Sequence, residues 1–359
     1  MKERGLKKQT VINFLILCPI FLVFSLLLSR WWEGRGMDFG AYWQAGHMVL
    51  SGQDVYDRTQ WIAVRELMGT ALHSEPTFQY PLPLAIFFAL LAWLPIQTAY
   101  TLWIFLTQVA VLTSIVILLD LYPAKSGYLE LLAIAGIFFF RPMFSILNSG
   151  QILGLLLLLV SVSIRLFASG RWFSGGFVLA VLSLKPSVGF PILLLSGLWL
   201  LSRKQWKGIG GLLAGGLTLV LIGALVNPRW LIDYVNIGGY SFWKYYGVNP
   251  TLWGIVDKIF KIDSLSVAIG LVGVAAVFAM EAYLFWRNKS NVEAFPAFAS
   301  IVPAALFVAP YLWHHDQILL TIPILFLLIS ISVKYGIGKA GIFMFGIVTV
   351  AFTRVTIAY

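Results

Sequence analysis

The chain has 359 residues, 60% of them hydrophobic and 11% charged, with a formal net charge of +10 and a mean hydropathy of +0.88. A water-soluble domain carries about a quarter charged residues, so this composition excludes a soluble globular protein. The basic residues lie in short clusters between apolar runs, which is the pattern of the positive-inside rule and not of a nucleic-acid-binding surface. Cys18 is the sole cysteine and excludes an internal disulfide and a thiolate metal site.

Apolar runs repeatedly reach the roughly 20 residues that cross a bilayer. In lipid every backbone polar group must be satisfied internally, so such runs are helices, and the alternating segments of a membrane barrel are absent. The expected fold is therefore all-α, a polytopic transmembrane helical bundle of roughly ten to thirteen embedded segments. Residues 11–29 follow Lys2, Arg4, Lys7 and Lys8. With no small-residue cleavage site behind them and Arg30-Trp31-Trp32 as an interfacial anchor, they read as a retained span with the N-terminus in the cytoplasm.

The next fifty residues, 30–79, are too long for a simple connection. A helix is expected over 39–50, stopped by Gly52, and another over 61–72, with Trp61, Val64, Met68 and Leu72 on one face as in a helix lying on a membrane. Asp38 stands immediately before the first, where an aspartate is a preferred N-cap. Residues 80–95 are apolar but short and bounded by prolines, as a re-entrant segment would be.

Further along, the pairs Arg165/Arg171, Arg203/Lys204, Arg287/Lys289 and Lys334/Lys339 mark cytoplasmic loops. Counting outward from them places 30–79, the Asn148–Gln151 turn, the Lys185-Pro186 turn, 227–264 and the Trp313-His314-His315-Asp316 break on the extracytoplasmic face. Charged residues are expected outside the spans, and no internal repeat is visible.

Fifteen carboxylates exist in the chain, and six lie in the first loop: Glu33, Asp38, Asp54, Asp57, Glu66 and Glu75. The cations assigned to the outer face include Lys185, Arg141 and the histidine pair His314 and His315. Adjacent histidines on a helix point about 100° apart and no third ligand is evident, so the His-His-Asp cluster is not expected to hold a metal.

The stretches Met37-Asp38-Phe39-Gly-Ala-Tyr42-Trp and Leu50-Ser-Gly52-Gln-Asp54-Val-Tyr56-Asp57 resemble the opening of glycosyltransferase family 87, a branch of the GT-C membrane glycosyltransferases. Phe78-Gln-Tyr80-Pro-Leu-Pro83, Gly150-Gln151, Gly170-Arg171-Trp172, Leu184-Lys185-Pro186, Asn249-Pro-Thr-Leu-Trp-Gly254 and Trp313-His314-His315 continue the likeness in order. The chain departs from the family pattern at Asn249-Pro250-Thr251, where Asn-Gln-Ser is common, and at Leu153, where an asparagine often follows the Gly-Gln pair.

The resemblance implies a single GT-C domain over 1–359 in the cell membrane, its site on the extracytoplasmic face. It implies an inverting transfer of a sugar, most often mannose, from a polyprenyl-phosphate carrier to a hydroxyl of a lipid-linked or cell-surface glycan. Asp38 matches the family's base. His314, His315, Lys185 and Arg141 are candidates for the donor phosphate, and Tyr42, Tyr80, Gln151 and Asn249 for the substrates. No cofactor or metal is implied. A transporter or flippase of lipid-linked sugars and an O-antigen-type polymerase or ligase are the competing readings. The first calls for charges deep in the spans, the second for a large outer loop late in the chain.

Overall fold

The computed structural model describes residues 2–30, 37–68, 75–122, 126–245, 251–260, 263–288 and 293–353. All regular structure among them is helical. The helices are α1 (Lys2–Arg30), α2 (Met37–Leu50), α3 (Arg58–Leu67), α4 (Leu82–Ala89), α5 (Ile96–Leu119), α6 (Gly127–Phe138), α7 (Arg141–Ser149), α8 (Leu153–Ala168) and α9 (Trp172–Leu179). There follow α10 (Pro186–Ser202), α11 (Trp206–Val226), α12 (Trp230–Tyr245), α13 (Leu252–Phe260), α14 (Asp263–Arg287), α15 (Ala294–Val308), α16 (Thr321–Tyr335) and α17 (Ile337–Thr353). Short 3-10 segments, Ala180–Leu184 and His314–Leu320, lead into α10 and α16.

Five of these stretches are long and apolar enough to cross a membrane, or six if the bent pair α6–α7 is one span, and five further apolar helices have 10–17 residues. The expected ten to thirteen segments are thus reached only by counting the short helices. The apolar runs are longer than the helices they form because they contain breaks. Arg141-Pro142 opens α7 at a 54° bend from α6, and Pro186 opens α10 after a 3-10 turn. Proline has no N–H to give a preceding turn, so it favours helix starts, although Pro19, Pro191 and Pro303 are carried inside α1, α10 and α15.

The apolar stretch of α5 is 61% buried, against 11% for α1 and 17% for α11 and α14. α5 is therefore the central pillar, packed on α1, α8 and α16, while the other three turn most of their side chains outward. Polar side chains hold α1 to the bundle. Gln108 donates to Ser25 Oγ (2.8 Å), and Asn13 donates to the buried Glu130 of α6 (2.7 Å). Such bonds between helices carry weight where water is absent. α9 and α11 pack backbone to backbone: a Cβ on Gly176 would stand 2.1 Å from the Gly208 carbonyl oxygen, and one on Gly211 2.0 Å from that of Phe173. Small residues spaced three and four apart permit this approach.

The first loop folds inward. Gly52, with φ +67°, follows α2 as expected. Asp57 caps α3, its carboxylate accepting from Gln60 N at 2.8 Å. α3 ends at Leu67; Leu72 lies outside the described residues. Its apolar face does not lie open on a membrane, because Trp61 and Val64 are buried in the protein core. Here Gln44 Nε2 donates to the Trp61 carbonyl (2.8 Å), and the Trp61 ring sits 5.9 Å from Phe78. Residues 80–95 form the one short helix α4, buried along much of its length against α2 and too short to span.

Candidate functional site

α2 is the element that brings the predicted residues together. It starts at Met37, so Asp38 lies within its first turn and not ahead of it. The positive end of the helix dipole therefore faces its carboxylate. Phe39 and Tyr42, on the same helix, are buried and pack on α4 and α5, with Phe39 5.4 Å from Tyr100 and Tyr42 4.8 Å from Phe88.

The turn after α7 reaches the same place. Gly150 has φ +70°, and a Cβ there would lie 2.5 Å from the Phe39 Cβ. Only glycine admits both the left-handed backbone and the contact. Trp103 Nε1 donates to the Gly150 carbonyl (2.8 Å) and the Tyr100 hydroxyl to that of Leu147 (2.7 Å). The turn is fixed to α5, and Gln151 is directed into the protein.

Gln151 is 1% exposed and lies at the centre of a polar network. Its Oε1 accepts from the Tyr42 hydroxyl (2.8 Å) and from Lys185 Nζ (3.1 Å). Its Nε2 donates to the Tyr80 hydroxyl (3.1 Å). Lys185 also pairs with Asp316 Oδ1 at 2.7 Å, the two side chains 5% and 0% exposed. The other Asp316 oxygen accepts from the Trp313 backbone N–H (2.7 Å), and His315 Nε2 stands 3.7 Å from Oδ1.

Asp38 faces this network. Burial raises its pKa above the ordinary 3.8 and the Asp316 charge adds to the rise, against the lowering effect of Lys185 and of hydrogen bonds with Gln151 and Ser149. Burial also pushes the Tyr42 and Tyr80 phenols well above their usual range, reinforced by the Asp38 charge, so both remain hydroxyl donors at neutral pH.

Asp38 and Tyr80 keep partial exposure while Tyr42, Gln151, Lys185 and Asp316 are buried, so the network opens outward through the carboxylate and one phenol. His314 is exposed and lies beside Arg141, where α7 packs on the 3-10 segment His314–Leu320. His315 is nearly buried. Of the predicted residues, Asp38, Tyr42, Tyr80, Gln151 and Lys185 therefore share one network, His315 adjoins it through Asp316, and the half-buried Arg141 and the exposed His314 neighbour each other. Asn249 lies outside the described residues.

Sequence reasoning left Asp316 out of the site set, although it follows two candidate histidines at a helix break. Its pairing with a lysine 131 positions earlier has no local signature. The expectation that charges stay out of the bundle is corrected: Lys185 and Asp316 are buried, and so is Glu281 of α14, which accepts from Ser300 Oγ (3.1 Å). Each of these charges has a partner that offsets part of its burial cost.

Other motif residues serve structure. Asp54 Oδ1 accepts from Tyr56 N (2.9 Å), the Tyr56 hydroxyl donates to the Tyr80 carbonyl (2.8 Å), and Trp253 Nε1 donates to the Val308 carbonyl (2.9 Å). Among the described residues no group of three or more His, Cys, Asp or Glu side chains is placed to hold a metal ion.

No curated protein and no solved structure matches the chain. The family model for glycosyltransferase family 87 matches residues 78–330. That stretch carries Tyr80, Arg141, Gln151, Lys185 and the 313–316 break, and begins after Asp38. It covers well over half of a polytopic helical chain, and the protein belongs to glycosyltransferase family 87.

Proposed function

We propose that this membrane glycosyltransferase moves a sugar, mannose by its family resemblance, from a polyprenyl-phosphate carrier to a hydroxyl of a lipid-linked or cell-surface glycan, on the extracytoplasmic face of the cell membrane. The reading includes a GT-C arrangement with the N-terminus in the cytoplasm. The observation that carries it is the partly exposed Asp38 carboxylate at the outlet of a buried polar network, in a bundle otherwise filled with apolar side chains.

In this reading Asp38 takes the proton of the acceptor hydroxyl as its oxygen bonds to the anomeric carbon. The bond from that carbon to the phosphate oxygen breaks, its electron pair leaves with the polyprenyl phosphate, and the configuration inverts. The half-buried Arg141 and the exposed His314 beside it offer positive charge and a donor to the departing phosphate. Tyr80 and Gln151 offer hydrogen bonds to sugar hydroxyls, and Tyr42 holds Gln151 in place. Asn249 remains a candidate to hydrogen-bond a sugar hydroxyl.

A lipid donor also suits an open groove of about 420 Å³ between α1 and α5. Leu22, Leu26, Leu102 and Phe105 make it apolar, and Ser29, Arg30 and Gln97 add polar groups, as an isoprenoid chain with an anionic head requires. The flippase reading keeps one observation, the buried charges of Lys185, Asp316 and Glu281. A flippase would move the lipid without consuming it.

Asp38→Asn tests the base. The variant keeps the side chain's shape and removes its basicity, and general-base assistance is worth about a hundred- to ten-thousand-fold. Single-turnover transfer with saturating acceptor should fall at least a hundredfold while the donor remains bound. A variant that retains more than about a tenth of the wild-type rate removes Asp38 from the mechanism.

A further inference from the structure

Among the described residues Lys185 is the only cation placed inside the polar network, and a phosphate-binding role is the obvious one for it. Its surroundings argue otherwise. The ammonium is 5% exposed and already held on two sides, by Asp316 Oδ1 at 2.7 Å and by Gln151 Oε1 at 3.1 Å. A cation so enclosed has little capacity left for a ligand that arrives at the outlet. The backbone supports this placement, since Lys185 sits at the break between the 3-10 segment Ala180–Leu184 and Pro186 of α10, where the chain changes direction into the core.

Asp316 is equally constrained. It is fully buried, one oxygen on Lys185 and the other on the Trp313 N–H. It cannot meet an acceptor directly, yet it comes from the far end of the chain to a point where its charge is felt at Asp38.

We propose that Asp316 and Lys185 are a positioning pair: Asp316 anchors Lys185, Lys185 holds the carbonyl of Gln151, and Gln151 with the field of the pair sets the orientation and protonation of Asp38. This rests on the reading of Asp38 as the base. The charged and titratable groups around the carboxylate are Lys185 at the start of α10, Asp316 and His315 on the 3-10 segment before α16, Tyr42 on its own helix, and Tyr80. Among the described residues Lys185 and Asp316 act on it as charges of opposite sign, the lysine lowering its proton affinity and, more weakly, Asp316 raising it. Neither touches a reacting atom.

The alternative role for Asp316 is structural, a cap on the 3-10 turn through Trp313. Asn keeps an acceptor for that N–H, so Asp316→Asn removes mainly charge. The two roles separate in the pH dependence of single-turnover transfer, whose acid limb reports Asp38 in this reading.

Lys185→Met should move the acid limb up by about one pH unit, since a nearby opposite charge lowers a carboxylate pKa by roughly that much or more. Asp316→Asn should move it down by a smaller amount, because Lys185 then acts on Asp38 uncompensated but Asp316 is the weaker of the two influences. The double variant, with both charges gone, should move the limb up by less than Lys185→Met does, because the lysine acts on Asp38 more strongly than Asp316, and at a reduced rate, since Gln151 has lost a donor. Neutralising both members of a buried pair is tolerated better than breaking it, so the double variant decides the matter if either single variant fails to fold.

Single-variant limbs that do not move or that move in the same direction, and a double-variant limb that does not move, overturn the positioning role. Failure of the base reading looks different: an Asp38→Asn protein that still transfers sugar.

Discussion

As the proposed base, Asp38 would have to act where burial opposes its charge. A raised folded-state pKa means that the folded protein holds this proton more tightly than the unfolded chain does. Its contribution to stability is therefore present below pH 3.8 and lost as pH rises through the folded value. Two outcomes follow. Transfer should lose activity on an acid limb lying above 3.8, not at the ordinary aspartate value, in a pH profile of single-turnover rates. Asp38→Asn should unfold no earlier than wild type in a thermal melt at neutral pH, because it removes a disfavoured charge, and any advantage should vanish toward pH 3.8. A melt markedly below wild type would mean that the carboxylate is there to hold the fold. Asp57 supplies the contrast. It caps α3 through Gln60 N, so Asp57→Ala should cost about 1 kcal/mol in stability and leave the transfer rate of the folded protein unchanged.

At the scale of elements, the motifs divide into those that shape turns and those that fill the site, and two glycines show the difference. Gly52 and Gly150 share a left-handed backbone, φ +67° and +70°, but a Cβ on Gly52 meets open space while one on Gly150 meets Phe39 at 2.5 Å. Gly52→Ala should cost about 1–2 kcal/mol of backbone strain with transfer intact. Gly150→Ala adds a collision with the residue next to Asp38, and should lower both the melting temperature and the transfer rate. Equal effects on rate would mean that the α7–α8 turn does not position the site.

Much of this was legible in sequence. Tyr80, Gln151 and Lys185 stand within the stretch that the family model matches and Asp38 and Tyr42 ahead of it, and the structure gathers all five. The Lys185–Asp316 pair was not legible, because neither local spacing nor composition encodes a contact between α10 and the segment before α16. The number of spans was not legible either. Hydropathy measures the length of an apolar run, and a proline or 3-10 turn inside the run divides it into helices too short to count separately. The α3 face was read correctly as amphipathic at Trp61 and Val64, but the apolar surface it covers is the protein's own core.

For the molecule as a whole, the architecture suits a lipid-borne substrate. α5 forms a buried centre and α1, α11 and α14 present apolar faces outward. The polar network lies where α2, the α7–α8 turn, the start of α10 and the segment before α16 converge. Membership of glycosyltransferase family 87 establishes the reaction class, and the proposed donor remains the claim on which the rest depends.

The direct measurement uses purified full-length protein in lipid nanodiscs. Radiolabelled polyprenyl-phosphate mannose, glucose and arabinose are supplied separately with a lipid-glycan pool, beside nucleotide-activated mannose alone. The account predicts label in the glycan from a polyprenyl-phosphate sugar, mannose first among them, with none from the nucleotide sugar and none from any donor with Asp38→Asn. Robust transfer from the nucleotide sugar alone, or no transfer from any of the three lipid phosphates, would contradict it.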